Sequence, residues 1–345
     1  MSIKVNRKEY PYSANTLVLD FLKNLDISVP TFCHDSRIAH KEQECGICVV
    51  EINGTLKKAC ETVIEDNMII KTHSDLVISE RKNILEGIIS NHSLDCLGCE
   101  KSGECKLQDY CYEYEVHQSI NTCKEDLDLD SSNPFYTINP NKCIACGKCV
   151  AVCTELQGSD ILELTEENGK RYVRAKNSSK VNNTKCLSCG NCVSVCPVGA
   201  LLPKGKEEFR VWETESVRTT CSYCGVGCQI DFMTKDNKIV DAKPANIAPN
   251  DGLLCVKGKF GFSFVNHPDR LKTPYLKKDG KLQPATWEEA YGFIKNKMTE
   301  IKNNYGADAF GGLTSARCTN EDNFIFQKLF RAVIGTNNVD HCARL

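Results

Sequence analysis

Two stretches of this chain are copies of one another, and each is built around four cysteines. Lys142-Cys143-Ile144-Ala145-Cys146-Gly147-Lys148-Cys149-Val150-Ala151-Val152-Cys153 recurs as Lys185-Cys186-Leu187-Ser188-Cys189-Gly190-Asn191-Cys192-Val193-Ser194-Val195-Cys196, with eight of twelve positions identical. Both read C-x2-C-x2-C-x3-C. Thiols this dense either bridge one another or hold metal, and either choice dictates the local fold. Cysteine is abundant elsewhere too, at 23 of 345 residues.

Compartment separates the two choices. Met1 to Tyr10 is charged, with no apolar stretch, no small-residue cleavage site and no arginine pair, and no run of the chain is long enough for a transmembrane helix. The expected location is therefore the cytoplasm, where thiols stay reduced and close spacing means metal ligation. The odd number of cysteines also argues against a closed disulfide framework. A formal charge of −2 gives no basic footprint for nucleic acid, and 41% hydrophobic residues allow folded domains.

The remaining ligand-type residues form three more blocks. Cys33, Cys45, Cys48 and Cys60 are spaced C-x11-C-x2-C-x11-C, with Gly46 letting the C-G-I-C turn close tightly. Around them, Ile3 to Val5 reads as an edge strand, Leu17, Leu19, Phe21 and Leu22 as a helix. Val49 to Ile52 and Leu56 to Ala59 read as a hairpin about Asn53-Gly54. His92, Cys96, Cys99 and Cys105 follow H-x3-C-x2-C-x5-C, and Cys221, Cys224, Cys228 and Cys255 follow C-x2-C-x3-C-x26-C. Zinc is the competing occupant of all three. Cys111, Cys123, Cys318 and Cys342 fall outside these patterns and read as packing residues.

The duplicated segment resembles the bacterial two-cluster ferredoxins, in which the fourth cysteine of each run ligates the other cluster. That resemblance implies one 4Fe–4S cluster on Cys143, Cys146, Cys149 and Cys196, and another on Cys186, Cys189, Cys192 and Cys153. Thr154 stands where the first copy would carry proline, and the insertion from Gly158 to Asn183 is expected to form a hairpin about Asn168-Gly169. The first block resembles the 2Fe–2S ferredoxin domain at the N-terminus of complex I and hydrogenase subunits. The second resembles their histidine-ligated 4Fe–4S site, where imidazole in place of thiolate removes one negative charge and raises the potential. The fourth, Cys221-Ser222-Tyr223-Cys224-Gly225-Val226-Gly227-Cys228 with Leu254-Cys255-Val256-Lys257-Gly258, resembles the 4Fe–4S entry domain of molybdopterin oxidoreductases. By that likeness Lys257 lies between cluster and pterin and relays electrons.

Beyond residue 270 the pattern turns α/β. Trp287 to Tyr305 reads as a helix capped by Thr286, Ala309 to Leu313 as a short buried strand, Thr319 to Ile334 as a second helix stopped by Gly335, and Asn338-Val339 as a lead into another strand. So few strands cannot cover two helices, and an incomplete domain is expected. Thr314 to Glu321 and Arg331 to Leu345 resemble the catalytic subunit of formate dehydrogenases. The residue after Leu345 is there the cysteine or selenocysteine that binds molybdenum or tungsten, so a selenocysteine codon read as a stop is the expectation.

The expected fold is α+β multidomain. It comprises a plant-type ferredoxin (β-grasp) domain at 1–78, a helical His-Cys cluster domain at 79–120, an acidic linker at 121–134 and a two-4Fe–4S ferredoxin domain at 135–208. A molybdopterin-oxidoreductase 4Fe–4S domain at 209–270 and an incomplete molybdopterin-binding α/β domain at 271–345 complete it. The linker from Lys124 to Pro134, with Glu125, Asp126, Asp128 and Asp130, reads as solvated and flexible, with a docking site for a basic electron carrier as the alternative.

The function implied is the electron-transfer portion of a formate dehydrogenase, carrying one 2Fe–2S and four 4Fe–4S clusters. The complete protein would add molybdopterin guanine dinucleotide with molybdenum or tungsten, oxidise formate to CO2, and pass electrons to a flavin/NAD subunit, a ferredoxin or a hydrogenase. The alternative is a non-catalytic wiring subunit like the large iron–sulfur subunit of complex I. Iron-only hydrogenases share the first three blocks, but their active-site motifs do not follow here.

Overall fold

A computed structural model describes residues 2–39, 45–117, 127–205 and 209–342. Cys123, Lys124, Glu125, Asp126 and Leu345 lie outside the described residues. The chain divides into two compact units, 1–214 and 215–345.

The first unit opens with β1 (Ser2–Val5) and β2 (Lys8–Pro11), then α1 (Val18–Asn24), β3 (Val49–Ile52), β4 (Thr55–Lys58) and β5 (Ile69–Lys71). The strands form one sheet in the order β2-β1-β5-β3-β4, with β1 and β5 parallel and the other pairs antiparallel. Ile3, Val5, Val50, Ile52 and Ile70 face Val18 and Leu22 of α1 in a single apolar core. Asn53 and Gly54 both take positive φ, as a two-residue hairpin requires. β1 is not an edge strand. Asn6 and Arg7, also at positive φ, turn the chain back into β2, which takes the edge.

Two helices follow. In α2 (Asp75–Ile89), Ser74 caps the first turn and Val77, Arg81, Leu85 and Ile89 form a buried stripe at helical spacing. This helix runs through residue 78, so the two expected N-terminal domains share it. The fully buried Arg81 donates to the Val49 carbonyl and the Tyr114 hydroxyl, both at 2.7 Å. It thereby ties the β-sheet to the segment after α3 (Lys106–Glu113).

The duplicated segment follows β6 (Tyr136–Ile138), with α4 (Lys148–Ala151), β7 (Leu162–Glu167), β8 (Lys170–Ala175), α5 (Asn191–Val195) and β9 (Leu201–Pro203). β7 and β8 form the hairpin about Asn168-Gly169, and β6 pairs with β9. The copies diverge after their third cysteine. Pro197 stops the second helix at Cys196, whereas Thr154 lets the first continue as a π-helical turn through Leu156. The described part of the acidic linker is pinned rather than loose. Asp130 accepts from Val181 and Ser132 and pairs with Ile138, and Asn133 is buried.

The second unit begins with the antiparallel meander β10 (Glu215–Thr220), β11 (Gln229–Lys235) and β12 (Lys238–Pro244), followed by α6 (Val256–Phe260). The hairpin β13 (Tyr275–Lys278) and β14 (Lys281–Pro284) leads to α7 (Trp287–Tyr305), where Thr286 and Glu289 form a capping box. β15 (Gly312–Ser315) pairs in parallel with β16 (Val339–Cys342) across α8 (Asn320–Lys328), which runs on as a π-helical turn to Ile334 before Gly335. The strand expected at Ala309 to Leu313 starts later, and Leu313 is 81% exposed rather than buried. Only Gly312 of that strand is buried, against Phe326 and Phe330.

Candidate metal centres

Every cysteine among the described residues is free. In the first block the thiols gather two by two: Cys33 and Cys45 Sγ are 3.1 Å apart, and Cys48 and Cys60 Sγ are 3.3 Å apart. The left-handed Gly46 makes the turn that sends Cys45 and Cys48 to different partners. Within each pair one thiol surrenders its proton easily. The hydrogen bond from Cys33 brings Cys45 down to about 6 while Cys33 itself is held high; Cys60, likewise held high, lowers Cys48. Two pairs of thiolate donors suit two irons with two thiolates each. A lone zinc ion instead needs four donors each about 2.3 Å from one point.

In the second block, His92 is buried and its Nδ1 has no hydrogen-bond partner among the described residues. A buried polar atom left unsatisfied costs about 1–3 kcal/mol, which coordination to a metal removes. Burial, with Lys170 and Lys142 nearby, lowers the imidazole to about 4, so it is neutral and ready to ligate. Cys96, Cys99 and Cys105 lie close enough to feel one another's charge. Any side chain at residue 199 would place its Cβ 2.8 Å from Cys99 Sγ, so glycine alone permits the contact between this block and the duplicated segment. Lys106 N–H, donating to the Pro197 carbonyl at 3.0 Å, reinforces that junction.

The duplicated segment encloses two cavities. One is lined by Cys143, Cys146, Cys149 and Cys196, the other by Cys153, Cys186, Cys189 and Cys192. Each loop bends through a left-handed non-glycine residue, Ala145 or Ser188, a conformation costing about 1–3 kcal/mol. The return is a backbone N–H aimed at sulfur: Ala145 to Cys143 at 3.4 Å and Ser188 to Cys186 at 3.3 Å. Burial holds the Cys143 thiol up at about 11 and pushes Cys149 and Cys192 well above their ordinary value. Such thiols become anionic when a cation or cluster compensates them.

In the second unit, Cys221 N–H donates to the Cys228 carbonyl at 2.8 Å, and Cys221 and Cys228 feel the charges of Cys224 and Cys255. Cys255 opens α6 and is exposed. Lys257 is two residues further on, with Nζ 5.6 Å from the centre of the Tyr223 ring, and both line a cavity beside Cys221 with Phe232 and Phe262. Its neighbour Lys259 points inward instead, buried between Asp241 at 3.4 Å and the Ala242 carbonyl at 2.6 Å. Among the described residues, no three His, Cys, Asp or Glu side chains close on one point as ligands of a single ion.

Of the leftover cysteines, Cys111 and Cys318 are half-buried but Cys342 is exposed, so it is not a packing residue. Position in β16, beyond the last buried turn at Phe330 and Ile334, leaves it facing out. Sequence reasoning passed over Asp35, Lys148 and Tyr136, which touch the ligand loops. Adjacency to ligands flags the first two, and nothing local flags Tyr136.

Five family descriptions match the chain in succession. They are a 2Fe–2S iron–sulfur cluster binding domain over 1–75, the NADH-ubiquinone oxidoreductase-G iron–sulfur binding region over 81–119 and a 4Fe–4S dicluster domain over 136–200. A molybdopterin oxidoreductase Fe4S4 domain covers 214–267 and a molybdopterin oxidoreductase domain 270–345. YjgC of Bacillus subtilis, provisionally named an oxidoreductase, is 34% identical across 99% of this chain and 39% of its own length. YrhE of the same organism, provisionally named a formate dehydrogenase, is 34% identical across 100% of this chain and 40% of its own. A similarly named Staphylococcus aureus protein is 31% identical across 99% of the chain and 39% of its own. The chain thus spans about two fifths of the length of these relatives. The crystal structure of an NAD+-reducing [NiFe]-hydrogenase in the H2-reduced state superposes with a TM-score of 0.54 and 25% identity, covering 59% of this chain and 87% of that one.

Proposed function

We propose that this chain, an iron–sulfur region homologous to those of molybdopterin and complex-I-type oxidoreductases, is the electron-relay portion of a formate dehydrogenase. The observation that carries this reading is continuity: one relative named for formate oxidation matches the chain from end to end, through the molybdopterin oxidoreductase domain at 270–345. A wiring subunit of the complex I kind is the second reading, supported by the NADH-ubiquinone oxidoreductase-G match over 81–119.

Cys33, Cys45, Cys48 and Cys60 would hold a 2Fe–2S cluster. His92 with Cys96, Cys99 and Cys105 would hold a 4Fe–4S cluster, and so would each cysteine set of the duplicated segment and the set Cys221, Cys224, Cys228 and Cys255. When bound, such clusters accept and release one electron at a time. Formate yields two electrons together, so a series of one-electron sites divides the pair. The protein's own contribution is insulation and placement: burial keeps water from thiolates such as Cys149 and Cys192, and backbone N–H groups offset the charge at Cys143 and Cys186. Lys257 is the candidate relay toward a pterin carrying molybdenum or tungsten in the complete protein. The electron acceptor is a flavin/NAD subunit, a ferredoxin or a hydrogenase, and the location is the cytoplasm. Among the described residues no helix is long and apolar enough to cross a membrane.

The test has two steps. The anaerobically reconstituted chain should bind roughly eighteen irons, as one two-iron and four four-iron clusters imply. The protein purified from its source should then reduce a viologen dye with formate. Iron binding without formate oxidation would leave the wiring reading. Zinc in place of iron would sink both.

A further inference from the structure

We propose that Tyr136 is a tuning residue: its phenolic O–H donates to the Cys186 thiolate and holds up the reduction potential of the cluster bound by Cys153, Cys186, Cys189 and Cys192. The inference rests on the cluster reading above and adds to it a residue that none of the ligand patterns contains.

Tyr136 lies in β6, is 1% exposed, and lines the same cavity as those four cysteines. Its hydroxyl is 3.3 Å from Cys186 Sγ. A metal-bound thiolate has no proton to give, so in the loaded protein the phenol must be the donor. Its strand and the facing loop are both held in place. Backbone pairing of Thr137 with Leu202 and of Ile138 with Asp130 holds β6, and Asn133, itself buried, donates to Ser188 Oγ at 2.9 Å inside the cluster loop.

The internal duplication supplies the comparison. Cys143 is the counterpart of Cys186, and it receives two backbone N–H groups, from Ala145 and from Val173, both at 3.4 Å. Cys186 receives the matching backbone N–H of Ser188. The second donor is Val173 N–H at Cys143 and the Tyr136 hydroxyl at Cys186. One half of the repeat therefore relies on the main chain, which side-chain substitution leaves in place, while the other half uses a side chain. A donor to a cluster sulfur favours the state with the extra electron, so the phenol raises the potential. The proton stays on the phenolic oxygen as the single electron arrives.

The experiment is a redox titration of the whole 345-residue chain, followed by electron paramagnetic resonance, on the wild type, Tyr136→Phe and Tyr172→Phe. The Tyr136→Phe change keeps the ring and removes one O–H. Tyr172 donates to Glu167 and serves as the control. Iron and sulfide content should match in all three. In Tyr136→Phe one four-iron signal should shift to lower potential while the others stay. Fluorotyrosine at 136, a stronger donor, should shift the same signal upward. Full iron content with no shift, or an equal shift in Tyr172→Phe, overturns the inference alone. A wild type that binds no iron overturns the cluster reading and this inference with it.

Discussion

The carboxylate of Asp35, two residues past Cys33, lies 3.5 Å from the ammonium of Lys148, which stands next to Cys149. Their side chains are only 9% and 15% exposed, and Arg37 also clamps Asp35, at 2.8 and 2.7 Å. A second link, Ala39 N–H to the Glu155 carboxylate at 2.6 Å, lies alongside. The 2Fe–2S loop is thus fastened to the first copy of the repeat, and Cys146 feels the charge of Cys45 across that junction.

Replacing Asp35 by Asn should cost more than replacing Lys148 by Met. The first change leaves two cations facing each other in a half-dry site, at about 3 kcal/mol. The second leaves Asp35 with its Arg37 clamp and keeps the aliphatic stem, at about 1 kcal/mol. Burial raises the Asp35 carboxyl, but Arg37 and Lys148 outweigh it and hold it well below the usual carboxylate range. Its contribution is therefore full above the unfolded pKa, about 4, and is lost only as pH falls toward the folded value. In urea, with visible absorbance as the readout, the gap between wild type and Asp35→Asn should be equal at about pH 6 and pH 8. A gap that grows between those values would implicate another group.

The two-by-two grouping of thiols makes a prediction for the iron-free chain. Mild oxidation should form Cys33–Cys45 and Cys48–Cys60 disulfides, because those sulfurs are already 3.1 and 3.3 Å apart. Peptide mapping under non-reducing conditions reads the outcome. A dominant Cys45–Cys48 bridge would contradict the pairing. Within the first pair, Cys45 should be alkylated before Cys33 near pH 7, because Cys45 ionises more easily.

His92 tests the second block. His92→Cys should keep four irons there but add one negative charge, so that cluster's potential should fall while the rest hold steady. His92→Ala should lose iron from that site. If both variants keep the wild-type potentials and iron content, His92 is only a buried histidine, and its unpartnered Nδ1 needs another explanation.

Legibility in the sequence followed interaction range. Cysteine spacing is local, so the loops of the repeat could be read directly, as could the Asn53-Gly54 and Asn168-Gly169 turns and the Thr286 cap. Pairs joined across long stretches of chain leave no period. Asp35 with Lys148 and Tyr136 with Cys186 are polar or aromatic residues whose neighbours depend on how whole segments pack. The same blindness misplaced β1 at a sheet edge and made the pinned segment around Asp130 look like a free linker, because its charges suggested solvent. Leu313 looked buried from hydrophobicity alone, yet a strand in a two-stranded sheet has faces left open.

Arg81 gives the sharpest stability prediction, because a charge sits where helical spacing calls for an apolar residue. Val77, Leu85 and Ile89 share its buried face, and Arg81 has no exposed surface at all. Its guanidinium satisfies the Val49 carbonyl, next to Cys48, and the Tyr114 hydroxyl, while lying 5.7 Å from the centre of that ring. Arg81→Ala opens a cavity and orphans both acceptors, and should cost about 3–5 kcal/mol. Arg81→Met fills the stem's volume without the two bonds and should recover part of that loss. The 2Fe–2S signal should disappear before the four-iron signals as urea rises, since the Val49 contact lies one residue from its ligand. Simultaneous loss of all the signals would mean that Arg81 holds the entire first unit together rather than its N-terminal sheet.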